Sequence, residues 1–173
     1  MGPGAPHEYL DDRTAFDAFV EYERRDGTRV AFGVETKLTD SFSQKPYDSE
    51  KYRRWMRGAD SPFREEAHGD VAGARYNQLW RNHLLAVAAR DHGRTPYGAA
   101  RSVVVHHGLD HHGARVVADY RGLLRPGDAT FDAWTLDQVI GAFGRVAVGA
   151  DEGAWLAAFR ARYLDLSTSE HDW

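Results

Sequence analysis

Three residues near the N-terminus have the types and spacing that divalent-metal chemistry requires. Asp17 lies in the segment FDAFVEY, and Glu35 and Lys37 lie two residues apart in VAFGVETKL. The chain has three lysines and nineteen arginines, so a lysine at this position is distinctive. Two carboxylates supply the oxygen ligands that Mg²⁺ prefers, and an adjacent ammonium stabilises developing negative charge. Together these groups suit the hydrolysis of a phosphodiester bond.

Each residue has a separate task in that chemistry. Asp17 and Glu35 are predicted to bind Mg²⁺, with Mn²⁺ as a substitute, and the backbone carbonyl of Thr36 is predicted to be a further ligand. Lys37 is predicted to orient or deprotonate the attacking water. A Glu-x-Lys triplet alone is also typical of an exposed strand end, so the prediction depends on Asp17 as well.

Two predicted strands carry these residues. Alternating side chains predict a strand over residues 15–22, and residues 29–38 form a second strand after the Asp26-Gly27 turn. On the second strand Glu35 and Lys37 share one face. The side chains predicted to face the core are those of Val30, Phe32, Val34 and Thr36.

Two helices are predicted between this hairpin and the next strand. Asp48 is expected to cap a short helix that ends near Gly58, and a loop is expected over residues 58–69. A longer helix is predicted over residues 70–91, because apolar side chains recur there at helical spacing. Gln78 lies on this longer helix.

The second half of the chain is predicted to add strands and two closing helices. Residues 100–106 indicate a buried strand, and residues 115–120 indicate a further strand or extended segment. A Thr135-x-x-Gln138 capping box opens the first closing helix, and the second begins near Asp151. The resulting fold class is α/β, with a central mixed β-sheet flanked by helices. Aromatic residues assigned to the core are Trp80, Trp134, Phe143, Trp155, Phe159 and Tyr163.

Length and composition predict one domain over residues 1–173, with residues 1–12 flexible. A net charge of −4, no cysteine and 42% hydrophobic residues are typical of a globular protein without disulfide bonds or thiol chemistry. No signal peptide or apolar stretch of membrane-spanning length is recognisable, so we expect a cytoplasmic protein that does not bind membranes.

A nucleic-acid ligand requires local positive charge, because phosphate contacts dominate such binding. Arg53, Arg54 and Arg57 cluster on the predicted short helix, and Arg81 lies on the longer one. These arginines are candidate DNA contacts. An exposed helix face without a ligand is the alternative interpretation of the cluster.

The hairpin resembles that of the PD-(D/E)xK nuclease superfamily, and more closely that of a branch of uncharacterised bacterial restriction-endonuclease-fold proteins. In that branch a Ser/Thr-x-x-Asp-Ala-Phe segment precedes an Ile-Glu-x-Lys-x-Thr-Glu segment. Residues 14–19 and 34–40 match these segments, with Asp40 in place of the usual glutamate. The resemblance continues in YNQLWRNHLLA and, more loosely, in FDAWTLDQVI.

The resemblance implies a restriction-endonuclease-like core and Mg²⁺-dependent hydrolysis of DNA. It implies that Asp17 and Glu35 are metal ligands, that Lys37 is the catalytic lysine, and that Gln78 is an added polar residue over the site. Members usually begin with a helix that carries another acidic residue. That helix is expected to be absent here, with Glu8 as a candidate remnant, and an uncovered sheet edge makes a homodimer possible.

Two alternatives remain open on the sequence alone. One is a non-catalytic nucleic-acid-binding or assembly module with a degenerate nuclease fold. The other is a transition-metal protein centred on histidines, because imidazole and aspartate side chains bind zinc or nickel. The candidate ligands lie in the histidine segment, residues 106–112, and are His106, His107, Asp110, His111 and His112. A polar turn is the simpler interpretation of this segment.

Overall fold

The computed structural model describes residues 10, 14–38, 41–91, 97–146 and 149–165. The expectations for Glu8, for Asp40 and for an N-terminal helix therefore lie outside the described residues. The expected flexibility of residues 1–12 does so too, except at Leu10, which packs in the hydrophobic core.

A four-stranded mixed sheet lies at the centre of the described structure, with the order β1-β2-β3-β4. β1 is antiparallel to β2, whereas β2, β3 and β4 are parallel neighbours. Parallel neighbours need crossover connections, which helical segments provide here. The strands are β1 (Ala18–Glu23), β2 (Arg29–Lys37), β3 (Ala99–His106) and β4 (Phe131–Thr135).

Helices cover both faces of this sheet. They are α1 (Glu50–Arg57), α2 (His68–Val71), α3 (Asn77–Asp91), α4 (His111–Arg121), α5 (Leu136–Val146) and α6 (Ala150–Tyr163). The larger core cluster joins α1, α3 and α4 to one face of the sheet, and a smaller cluster joins α5 and α6 to the other. This three-layer arrangement confirms the predicted α/β class.

The predicted hairpin is present, and its turn has the expected chemistry. Gly27 has a φ of 81°, a conformation that favours glycine, and the Asp26 carboxylate accepts a hydrogen bond from the Thr28 amide at 2.9 Å. β1 begins at Ala18, later than predicted, so Asp17 lies in a bend just before the strand.

The prediction of which β2 face meets the core was only partly right. Glu35 and Lys37 lie on the more buried face, beneath α3, whereas Phe32 and Val34 are half-buried on the opposite face and Thr36 is exposed. Sequence alternation separates the two faces of a strand, but helices on both sides of the sheet decide how deeply each face is buried.

The prediction of a strand or extended segment over residues 115–120 was wrong. This segment belongs to α4, whose first turn is capped by Asp110 through a 2.8 Å hydrogen bond from the Gly113 amide. Val116, Val117 and Tyr120 form its buried face. Adjacent valines favour a strand locally, but here tertiary burial outweighs that preference. The fourth strand, β4, was not predicted.

The helices before β3 also differ from the prediction. The N-cap residue of α1 is Ser49, and Asp48 instead accepts hydrogen bonds from Arg53. The long helix predicted over residues 70–91 is interrupted, because α2 ends at Val71 and α3 begins at Asn77. Asn77 donates to the carbonyls of Tyr47 and Ala72, which stabilises the intervening turn.

The capping box of α5 is confirmed. The Thr135 hydroxyl accepts from the Gln138 amide at 3.2 Å, and the Gln138 side chain accepts from the Thr135 amide at 2.8 Å.

Part of the aromatic core assignment was wrong. Trp80 is fully buried, and Trp134 and Phe159 are half-buried, but three other aromatic side chains remain open to solvent. Their exposed fractions are 52% for Phe143, 53% for Trp155 and 37% for Tyr163. Phe143 lies on α5, and Trp155 and Tyr163 lie on α6. Helical spacing alone therefore did not predict which faces of these two helices are covered. No helix in the described parts of the chain is long and apolar enough to span a bilayer.

Candidate active site

Glu35 and Lys37 lie at the C-terminal end of β2, on the face that α3 covers. Alternation along the strand puts both side chains on this face, and α3 removes them from solvent. Glu35 is 4% exposed and Lys37 is 7% exposed. Charged side chains are seldom buried so deeply unless they are paired, so this end of β2 is unusual in the fold.

Three donors hold the Glu35 carboxylate. Its Oε1 accepts from Lys37 Nζ at 2.8 Å and from Gln78 Nε2 at 2.5 Å, and its Oε2 accepts from Asn82 Nδ2 at 2.9 Å. The two amides come from successive turns of α3, because residues i and i+4 share one side of a helix. The carboxylate is therefore fixed by one ammonium and two neutral groups.

The orientation of the Gln78 amide follows from its second contact. Gln78 Oε1 accepts a hydrogen bond from the backbone amide of Ser43 at 2.7 Å. Because a backbone N–H can only donate, this side of the amide must be the oxygen and the other must be the NH₂ group that meets Glu35. Gln78 thus links the segment after β2 to the carboxylate.

Lys37 has a second neighbour besides Glu35. Its ammonium lies 5.7 Å from the centroid of the Phe42 ring, within the range of a cation–π contact. The buried pair carries no net charge, which limits the cost of its desolvation. Removing either partner leaves the other charge buried without its counterion.

Asp17 lies beside this network but bonds elsewhere. Its Oδ2 accepts from the Thr36 amide at 2.7 Å and from the Thr36 hydroxyl at 2.9 Å. The β1–β2 register, extended by one residue, places Asp17 opposite Glu35. The ring of Phe16 lies where a side chain at position 33 would stand, and this contact with Gly33 holds the Asp17 segment against β2. The structure thus joins Glu35, Lys37 and Gln78, whereas Asp17 joins Thr36.

The histidine segment does not form a cluster. His106 pairs with Lys37 in the β2–β3 register, and its Nδ1 lies 2.9 Å from the His107 carbonyl. His107 Nδ1 accepts from the Leu109 amide, while His111 starts α4. No group of three His, Cys, Asp or Glu side chains that could hold a metal is present among the described residues.

The candidate DNA-contacting arginines are mostly held by local partners. Arg53 donates to Asp48, Arg57 pairs with Glu50 at 3.5 Å, and the Arg81 guanidinium lies 5.1 Å from the Tyr47 ring centroid. Arg54 is exposed. Arg53 and Arg57 line a cleft of about 530 Å³ together with Met56, Gly58, Ala59, Glu65, His68 and Arg125.

Comparison with known proteins shows a family for this chain. A family model described as the PD-(D/E)XK nuclease superfamily matches residues 2–165, which includes the whole site. The chain belongs to the PD-(D/E)XK nuclease superfamily. No curated protein and no solved structure matches it. The four-stranded mixed sheet flanked by helices agrees with the restriction-endonuclease-like fold of the superfamily.

The PD-(D/E)XK assignment raises the question of a divalent metal, and the donor chemistry here fits one. Asp17 and Glu35 supply carboxylate oxygens from neighbouring segments of the hairpin, and hard cations such as Mg²⁺ prefer oxygen ligands. The remaining groups on Glu35 are two amides and an ammonium, none of which adds negative charge.

The contact between Asn82 and Glu35 was not predicted from the sequence. The available signal was the i, i+4 spacing of the Gln78 and Asn82 carboxamides, which puts both on one side of α3. It was not decisive, because the sequence does not say that α3 crosses the end of β2.

Proposed function

We propose that this protein is a Mg²⁺-dependent nuclease that hydrolyses phosphodiester bonds in DNA, with Mn²⁺ as a substitute metal. The observation that carries the proposal is the buried Glu35–Lys37 pair, held by Gln78 and Asn82 in a PD-(D/E)XK chain. Asp17 and Glu35 are the residues that would hold the metal, with the Thr36 carbonyl as a further ligand. When bound, the metal would neutralise phosphoryl charge and lower the pKa of an attacking water.

The protein's own residues have distinct tasks in this proposal. Lys37 keeps its ammonium at the carboxylate, where it is available to orient water and to stabilise negative charge. Gln78 and Asn82 fix the rotamer of Glu35, and fixed ligands lose less entropy when the reactive geometry forms. Arg53, Arg54, Arg57 and Arg81 are proposed to contact DNA phosphates, and the protein is proposed to act in the cytoplasm.

Lys37→Ala tests the proposal. We expect cleavage of plasmid or oligonucleotide DNA with Mg²⁺ to fall by at least about a hundredfold, as is typical when a group that stabilises charge in the transition state is lost. We expect the variant to be less stable, because Glu35 loses its counterion, but still folded, because Glu35 retains its two amide donors. Circular dichroism checks the fold, and a gel assay measures cleavage.

Lys45→Ala is the matched control, because Lys45 is also a lysine, lies in the segment that follows β2 and is exposed. It should cleave like the unaltered chain. Full activity in folded Lys37→Ala would contradict the proposed role of the lysine.

A second candidate function is a non-catalytic nucleic-acid-binding or assembly module. It is favoured by the bonding of Asp17 to Thr36 and by the lack of a three-ligand group within the described residues. Calorimetric titration with Mg²⁺ and Mn²⁺, combined with binding and cleavage assays in the presence of each metal, separates the two functions. DNA binding without cleavage of single- or double-stranded DNA or RNA, with either metal, would favour the module.

A further inference from the structure

One side of α6 carries a line of four exposed residues that no other part of the described structure covers. Asp151, Trp155, Ala158 and Arg162 are all exposed, and Trp155 is 53% exposed. Their spacing of four, three and four residues places them in one row along the helix. Leu156 is the buried residue of α6 and lies on another side. Among the described residues, the row therefore faces solvent in a single copy of the chain.

This row is self-complementary when it is read in the reverse direction. Its spacing is the same from either end, so an antiparallel copy places residue 151 opposite residue 162 and residue 155 opposite residue 158. Asp151 then meets Arg162 of the second copy, and Trp155 meets Ala158. Each contact occurs twice about a two-fold axis, which is the requirement for an isologous interface.

Size and charge both agree with this pairing. A tryptophan opposite an alanine lets two helices approach to an interaxial distance of about 8–10 Å without a clash. The acidic residue lies in the first turn of α6 and the basic residue in its last turn, so each charge is favourable at the end of its own helix, and the antiparallel pairing brings the opposite charges together. Phe159, whose ring centroid lies 5.3 Å from that of Trp155, widens the apolar surface.

We propose that α6 binds α6 of a second copy of this chain as an antiparallel helix pair. The proposal does not depend on the nuclease function. One helix pair is a small interface, in the class below about 1,200 Å² of buried surface, so we expect a reversible dimer whose population rises with concentration.

Charge reversal tests the pairing in the full chain by analytical ultracentrifugation. Asp151→Arg places two arginines together at both ends of the interface, and Arg162→Asp places two aspartates together. Each single variant should dissociate about tenfold more readily than the unaltered chain, because two attractive contacts become repulsive in one dimer. Arg160→Asp is the matched control, since Arg160 is exposed on another side of α6, and it should dimerise normally.

Mixing the two single variants gives the decisive measurement. In the mixed dimer both ends regain an opposite-charge pair, so an equimolar mixture should dimerise about tenfold more tightly than either variant alone. The double variant Asp151→Arg/Arg162→Asp should also dimerise. A change that merely damaged the helix would not be restored by mixing. A monomeric unaltered chain at all concentrations, or a mixture that stays monomeric, would overturn the proposal.

Discussion

At the scale of single residues, the buried Glu35 carboxylate depends on the Asn82 amide. Asn82 is 3% exposed and donates to Oε2, which has no other donor among the described residues. Asn82→Ala should lower the free energy of unfolding by about 1–3 kcal/mol, the cost of leaving a buried polar atom unsatisfied. Asn82→Asp should cost more, because it puts a second carboxylate against the first.

Urea unfolding measures this difference, with Gln44→Ala as the control. Gln44 is also a carboxamide, but it is exposed, and its side chain donates to the Phe42 carbonyl. An Asn82→Ala variant that is no less stable than the control would show that the carboxylate does not need this donor.

A second residue-scale prediction concerns His83 in the core. Complete burial lowers the pKa of His83 to about 3 from its ordinary value of 6.5. Its ring nitrogens lie 3.1 Å from the Tyr120 hydroxyl and 2.6 Å from the Thr130 hydroxyl. The folded protein therefore keeps this imidazole neutral at pH values where the unfolded chain binds a proton.

The sign of the pH dependence follows from linkage. Below pH 6.5 the imidazole of His83 binds a proton in the unfolded state but stays neutral in the folded state down to about pH 3. The free energy of unfolding therefore falls as the pH is lowered from 6.5 to about 3. At pH 5 the loss from this group is about 2 kcal/mol. Urea unfolding at pH 7 and pH 5 measures it. His83→Gln should be less stable at both values but should lack this part of the slope, and an unchanged slope would contradict the assignment.

At the scale of elements, local caps set where the helices begin. Thr135 is both the last residue of β4 and the cap of α5, so it couples the sheet to the helix. Thr135→Ala should lower the unfolding free energy by about 1 kcal/mol, and Thr135→Ser should restore most of it because the hydroxyl is kept. Thermal unfolding followed by circular dichroism compares the two variants; equal melting temperatures would contradict a capping role.

Elements that depend on short-range contacts were predicted, whereas α4 and β4 were not. The Asp26-Gly27 hairpin and the Thr135-Gln138 capping box were predicted because each depends on residues three or fewer positions apart. α4 was mistaken for a strand because its two valines satisfy either structure, and only burial against the core selects the helix. β4 was missed for a different reason, because five residues at a sheet edge carry little periodic signal.

At the scale of the whole molecule, the layers decide what each face of an element does. α3 crosses the end of β2, and this crossing turns a strand-end Glu-x-Lys triplet into a buried ion pair. On the opposite side of the sheet, α6 leaves Trp155 open, although its spacing with Phe159 and Tyr163 resembled a core stripe. The antiparallel α6 pair is the whole-molecule prediction that follows from this exposure.

The amino-acid sequence by itself determined the α/β class and the PD-(D/E)XK superfamily, because strand alternation, turn chemistry and the Glu-x-Lys spacing are local properties. It also predicted Gln78 as a polar residue over the site. Only the tertiary structure placed Asn82 on Glu35 and turned Asp17 toward Thr36. The Asn82–Glu35 contact spans 47 positions of the sequence, and the Asp17–Thr36 contact spans 19. Contacts over such separations depend on how the helices and strands pack and not on local preferences.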